Sequence, residues 1–583
     1  IATAVKAIRA GHPNSLLMNI GDTFHGGAEA FFTAGNAVVD PLNSLGIDVG
    51  VPGNWDFYYS PVMFRARFGR INTELFTGRF DIDIPGFALD AEIKRPNYPN
   101  LAANMKDVME RVTPRKFLEP TRMIKINKVK VGFIGLTSDI VADMHPMLAQ
   151  GFDFSQGETE HKQLVDKYAR KLRKDGADIV VVMSELGIHK TRRLADIVKK
   201  HSVDVFFAAH THEITYEPVK SASGALVVEA GNDGYLGQMD ITVKQKKKKT
   251  NKGKTRKTSK VIARNWRIIE IDNSVAEDPE MKVLVDKERA GFFADDVALL
   301  APPPFFAQTL NMPLDTVIGH TDSVIDRKNA MESTFNNGWT DLLREVTGTE
   351  VAMTPGFRIP AAVAEPGYMD EMGAIASGDI TLEDAFRFFP MMYSIATGEV
   401  TGKRLKEIIE AQLVRTYSSD TFNHTGGWNY GFSGLDMTLD LAAGDGNRIQ
   451  SLSYSDSGTT VRNSDRITVA GCQRMPIEFA GTLCAYSGFT SVEPYTGPFA
   501  AGDAMTALDL FVEALATRSF DGTRSSITDL SDTPVWPAAT YIQPLDGAGS
   551  ATPAKDGNDC GFFGPCDSGS FRNGVSIFGL GRN

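Results

Sequence analysis

Short apolar runs punctuate the first third of the chain, and each one stops at a polar cluster. SLLMNI (Ser15 to Ile20) and ADIVVVMS (Ala177 to Ser184) are continuous and β-branched, the pattern of strands buried on both faces of a parallel sheet. Ile47 to Val51 and VDVFFAAHTH (Val203 to His212) read the same way. The clusters that follow are GDTF at 21 to 24, GNWDF at 53 to 57, SELG at 184 to 187 and AHTHE at 209 to 213. Side chains at the carboxyl ends of such strands face one common crevice. Further on, EDPEMKVLVDKERAGFF reads as a charged helix, and Ala301-Pro302-Pro303-Pro304 cannot continue it. Ser377 to Pro390 reads as a turn followed by a helix, with Thr381 and Asp384 spaced as a capping box. These patterns predict a domain over 1–275, a linker helix over 276–308 and a second domain over 309–535. A Gly/Pro-rich tail over 536–583, with little periodicity, is expected to be irregular and to wrap the domain or meet another subunit.

Asp22, Asn54, Glu185, His210 and His212 are the polar groups those strand ends deliver. Taken singly, each has an ordinary explanation: an Asp after a strand caps a helix, an Asn after a Gly forms a turn, and a His satisfies a local bond. Taken in order, a carboxylate, an amide oxygen, a second carboxylate and an His-x-His pair form a ligand set for divalent cations.

With these motifs the chain resembles the calcineurin-like metallophosphoesterases, in the 5′-nucleotidase branch with its extra C-terminal domain. The resemblance implies an α/β protein: an N-terminal four-layer αββα metallophosphoesterase sandwich followed by a C-terminal α/β 5′-nucleotidase-type substrate domain. It also implies two divalent metal ions, manganese in the first place and zinc or magnesium otherwise, that activate water for hydrolysis. Asp22 then bridges both ions, Asn54 and His210 bind one, and His212 binds the other. The family's opening Asp-x-His motif does not occur before GDTF, which reads as a truncated or incompletely defined start.

Two positions depart from the family. Glu185 stands where the family has a His, an oxygen ligand that biases the site away from zinc. His189 is a possible substitute ligand, although a position on the following helix turns it toward solvent. Trp55 stands where nucleotidases carry a His beside the departing charge, and indole does no acid–base work. Trp55-Asp56-Phe57 is similar to the thiosulfohydrolase of the bacterial sulfur-oxidation pathway, which makes Asn54, Trp55 and Asp56 the candidate catalytic positions. TPGFR at 354 to 358 is closer to that enzyme's spelling than to the nucleotidase loop, and Arg358 would grip the substrate anion with its guanidinium fork. Trp428, Tyr430 or Phe432 in GGWNYGFSG, with Phe499 as a weaker match, are candidates to line a substrate pocket. The implied reaction is removal of a terminal sulfonate from a cysteine-S-thiosulfonate on a carrier protein. Alternatives are a nucleotidase-like phosphoesterase acting on a small anionic substrate, and a degenerate extracellular scaffold of the same fold.

Composition narrows the partners. The net charge of -11 over 583 residues disfavours nonspecific nucleic-acid binding. Lys244 to Lys260 is a basic exception, expected as a solvated loop between strands at Met239 to Val243 and Val261 to Ile269. No apolar run reaches the length of a membrane span. Four cysteines, Cys472 with Cys484 and Cys560 with Cys566, are spaced for two local disulfides. An oxidising compartment, periplasmic or secreted, is the expectation that follows.

Overall fold

The computed structural model describes residues 1–69, 93–111, 116–231, 234–249, 255–301, 308–327, 330–358, 361–369, 374–391, 393–425, 427–474, 481–497, 504–531 and 574–580. Two sheets stack face to face in the first domain. One is five-stranded and contains Ser15–Ile20 and Val49–Val51; the other is six-stranded and contains Val129–Leu136, Ile179–Ser184, Val205–Ala208 and Leu226–Glu229. Strand periodicity explains why these runs are apolar throughout. Leu16, Met18 and Ile20 meet Val131, Val181 and Val205 between the sheets, while Leu17 packs outward with Val5 and Ile8 of the helix Ala2–Gly11. On the other sheet, Val180 and Val182 face Leu172 of the helix Gly157–Lys174 and Leu194 of the helix Ile188–Ile197. The result is the four-layer αββα sandwich expected from the sequence.

The helix Pro279–Arg289, capped by Asp278, follows the sandwich. Arg289 bridges to Glu29 at 2.6 Å and to Glu383 at 2.9 Å, tying this connection to both domains. The second domain is built on a five-stranded sheet in the order Trp428–Ser433, Val351–Gly356, Arg466–Arg474, Tyr393–Thr401 and Thr490–Pro494. The helices Thr334–Thr347 and Gly402–Tyr417 pack on it through Trp339, Leu343, Leu405 and Ile409. Thr381 and Asp384 exchange the two bonds of a capping box. Cys472 and Cys484 form a disulfide; Cys560 and Cys566 lie outside the described residues.

Two expectations are corrected. The basic segment is not a loop between short strands, because the ladder runs through it: Tyr235–Lys249 pairs with Thr255–Glu270, setting Lys244 against Lys260. The tail is not wholly irregular. Gly574–Leu580 is a strand inserted between Ser15–Ile20, to which it is parallel, and Tyr235–Lys249, to which it is antiparallel. Its short apolar run GVSIFGL is preceded by a long Gly- and Pro-rich stretch, which hid the strand pattern. No helix among the described residues is long and apolar enough to cross a membrane.

Candidate metal centre

Asp22, Glu185 and His210 converge from three strand ends, with one ligand atom of each within 4.8 Å of the others. All three are buried, and Glu185 is wholly excluded from solvent. Two glycines permit the approach. A Cβ on Gly53 would lie 2.1 Å from Oδ1 of Asp22, and one on Gly21 would lie 2.7 Å from both the Gly53 backbone and Cγ of Glu185. The backbone is strained here as well: Asp22, His210 and His212 have φ of 50°, 80° and 56°, a region such residues seldom adopt.

The hydrogen-bond ledger of this cluster is incomplete in one consistent direction. Oδ1 of Asp22 accepts from the Trp55 N–H at 2.8 Å. Asn54 directs its Nδ2 toward the Met144 sulfur at 3.2 Å, leaving Oδ1 without a partner. Both oxygens of Glu185 and Nδ1 of His210 are also buried without hydrogen bonds, Nδ1 standing 3.4 Å from Oε1 of Glu185. Buried polar atoms are ordinarily satisfied, so the unsatisfied electron-pair donors of Glu185 and His210, converging with Asp22, form a set that a hard divalent cation fits, with the unsatisfied Asn54 Oδ1 on the same pocket. Burial, and then the charge of Glu185, pushes the Asp22 carboxyl well above the usual carboxylate range. Burial and the charge of Asp56 do the same for Glu185. Burial and the neighbouring Arg358 push His210 down to about 3, so its imidazole is neutral and available as a ligand.

His212 lines the same pocket, with Nδ1 3.1 Å from the Arg358 carbonyl, outside the three-residue cluster. Arg358 donates from Nη2 to the His210 carbonyl at 2.5 Å, and its Nη1 is buried without a partner. Trp428 lines the pocket alongside Trp55, Phe357 and Tyr430. Phe432 does not. It lies one strand period deeper and packs in the second domain's core, so period-2 spacing put it on the correct side but too far along. Phe499 lies outside the described residues.

Asp56, a candidate catalytic position, has its carboxylate engaged by the backbone of the ligand loops. Its carboxylate accepts from the N–H groups of Thr23 at 2.8 Å, Phe24 at 3.0 Å and Gly53 at 2.8 Å, pinning the two ligand loops together. His189 is corrected: it is buried, not solvent-facing, with its ring 4.8 Å from that of His424. Sequence reasoning missed His25, which stacks on Trp55 at 4.7 Å and whose position directly after GDTF was the available signal. It also missed Glu229, which accepts from Thr211 at 2.6 Å and from the Glu213 N–H at 3.2 Å and so braces the His210 loop. Burial pushes Glu229 up to about 7.

Comparison with known proteins follows these lines. Residues 1–213 match the calcineurin-like phosphoesterase family and residues 317–473 match the 5′-nucleotidase C-terminal domain. Endonuclease YhcR of Bacillus subtilis (strain 168) is 24% identical over 516 residues, covering 85% of this chain but only 36% of its own length. A 5′-nucleotidase precursor of Thermus thermophilus superposes with a TM-score of 0.67 at 17% identity, covering 91% of this chain and 93% of that one. The Thermus thermophilus sulfate thiohydrolase SoxB gives 0.65 at 17% identity, covering 91% and 83%. At such identities the superpositions establish the fold alone. The order of the ligands, the stacked sheets and the two matches together identify a calcineurin-like phosphoesterase domain over residues 1–213 and a 5′-nucleotidase C-terminal domain over residues 317–473.

Proposed function

We propose that the chain hydrolyses the terminal sulfonate of a cysteine-S-thiosulfonate borne on a carrier protein. The observation that carries this reading is Trp55. It stands on the pocket wall, stacked on His25, and offers no group that could protonate a poor leaving group. The nearby Tyr430 hydroxyl is directed elsewhere, donating to the Cys484 carbonyl at 2.9 Å. A persulfide leaves without a proton, whereas an alkoxide does not. Two divalent ions, manganese first, are the proposed cofactors, one of them held by Asp22, Asn54, Glu185 and His210; when bound they supply Lewis acidity toward water and the anionic centre. The free Nη1 of Arg358 holds a sulfonate oxygen, while the Trp55 and Phe357 rings, 6.1 Å apart and edge to face, restrict the entry. A water oxygen bonds to the terminal sulfur as the S–S bond breaks and its electron pair leaves with the inner sulfur. R–S–S–SO3⁻ and water thus give R–S–S⁻, sulfate and two protons.

A second reading, 5′-nucleotidase-like phosphoester hydrolysis, is favoured by the aromatic wall of Trp55, Phe357, Trp428 and Tyr430. The Cys472–Cys484 disulfide supports a periplasmic or secreted location. Self-association through the 536–583 tail belongs to the same proposal. Parallel assays with manganese, on a thiosulfonate-bearing peptide and on a nucleoside monophosphate, test the reading. Sulfate release from the peptide alone supports it, turnover of the nucleotide alone overturns it, and inertness toward both with no bound metal leaves only a scaffold.

A further inference from the structure

Arg415 differs from Arg448 and Arg524, two paired arginines of the second domain. Arg448 pairs with Asp445 at 2.8 Å and Arg524 with Asp341 at 2.9 Å. Arg415 is half-buried on the helix Gly402–Tyr417 and lines the pocket, yet among the described residues it has no carboxylate or carbonyl partner. Its guanidinium rests only on the Tyr486 ring, 5.4 Å from the centroid. A guanidinium held on an aromatic face keeps its in-plane N–H donors free for an anion.

The surroundings fix it there. Gln412, one helical turn before it, donates to the Trp428 carbonyl at 2.8 Å and accepts from the Tyr486 hydroxyl at 2.8 Å, so the helix, the strand and the supporting ring are locked together. Trp428 adds a second unused donor, a buried indole N–H on the same pocket. Asp143 is the acidic group on the pocket lining away from the ligand cluster, and it is exposed. Arg358 is committed to the cluster through the His210 carbonyl, so it cannot account for these donors.

We propose that Arg415 and the indole N–H of Trp428 form a second anion subsite, and that the substrate carries an acidic group additional to the one hydrolysed. This rests on the thiosulfonate reading for the identity of the head group only. On that reading the second group is a carboxylate of the carrier segment, close in sequence to the modified cysteine. The subsite therefore selects among carriers by charge, a role that the ligand cluster cannot perform because it engages the head group common to all of them.

The test uses the full chain loaded with manganese and two short peptides containing homocysteic acid, whose sulfonate sits on carbon and cannot be hydrolysed. One has Asp beside the sulfonate residue and the other has Asn. Calorimetry is expected to give the Asp peptide about tenfold tighter binding, in line with one charge-assisted contact. In Arg415→Gln that preference falls to within twofold, with the Asn peptide unaffected. Equal affinity of the unaltered protein for the two peptides overturns the subsite, and needs no variant to fold. An equal loss for both peptides in Arg415→Gln also overturns it, marking the residue as merely structural. Should thiosulfonate turnover fail while the charge preference stands, the reaction assigned above is wrong and the subsite remains.

Discussion

Asp56 and Glu185 are both buried carboxylates packed against the loops that follow the strands of the first domain, yet their surroundings are opposite. Asp56 accepts three backbone N–H groups, while Glu185 accepts no backbone N–H in its buried cluster with Asp22 and His210. The first is complete as it stands. The second carries uncompensated electron pairs at positions that cost folding energy unless a cation is bound. The difference separates a residue that shapes the site from one that serves it, although both sit in motifs of similar appearance.

The largest effect is expected from Asp56→Ala. Three orphaned N–H groups should cost about 4 kcal/mol in urea denaturation, and activity should fall with folding, not ahead of it. A loss under about 1 kcal/mol would erase the contrast with Glu185. Next is Glu229, whose carboxyl is raised to about 7. Because the folded value lies above the ordinary one, its contribution to stability is full below about pH 4.5 and is lost as pH rises through 7. The loss approaches about 3 kcal/mol, and Glu229→Gln should flatten the stability profile across that window.

Glu185→Gln should lower activity about 100-fold or more and reduce bound metal, as expected when a ligand is altered. In the chelated protein the same change should raise the melting temperature above neutral pH. Asp22 and Glu185 are likewise raised, so the metal-free protein loses stability as pH climbs, and manganese should abolish that loss. If chelation leaves the thermal profile unchanged from about pH 5 to 8, the cluster is not a cation site. The smallest effect is expected at Trp55. Trp55→His should raise phosphomonoester hydrolysis about tenfold at most and leave thiosulfonate hydrolysis nearly unaltered.

The strand ends were legible because burial on both faces forces an unbroken apolar run, and Asp22, Asn54, Glu185 and His210 each terminate one. The sandwich was implied by the family resemblance that those motifs carry. What could not be read were properties set by distant backbone. The three donors that engage Asp56 come from two loops, and nothing in Trp-Asp-Phe announces them. His189 was assigned to solvent because helical position alone does not reveal that His424, from the other domain, covers it. Phe432 shares its strand face with Trp428 and Tyr430, and alternation gives a side but not a depth. The Gly574–Leu580 strand was missed because its partners are the strands Ser15–Ile20 and Tyr235–Lys249, far away in sequence.

That strand has a consequence in time. Ser15 pairs with Ser576, so the sheet that presents Asp22 acquires its interior neighbour only after the whole of the second domain has been synthesised. The second domain, whose central sheet pairs strands of that domain alone, can be in place by then. Assembly therefore runs against the order of synthesis, with the cation-binding half finished last. A ribosome-bound chain halted before Gly574 would present the aromatic wall of the pocket while the strand bearing Asp22 still lacked the neighbour that separates it from Tyr235–Lys249.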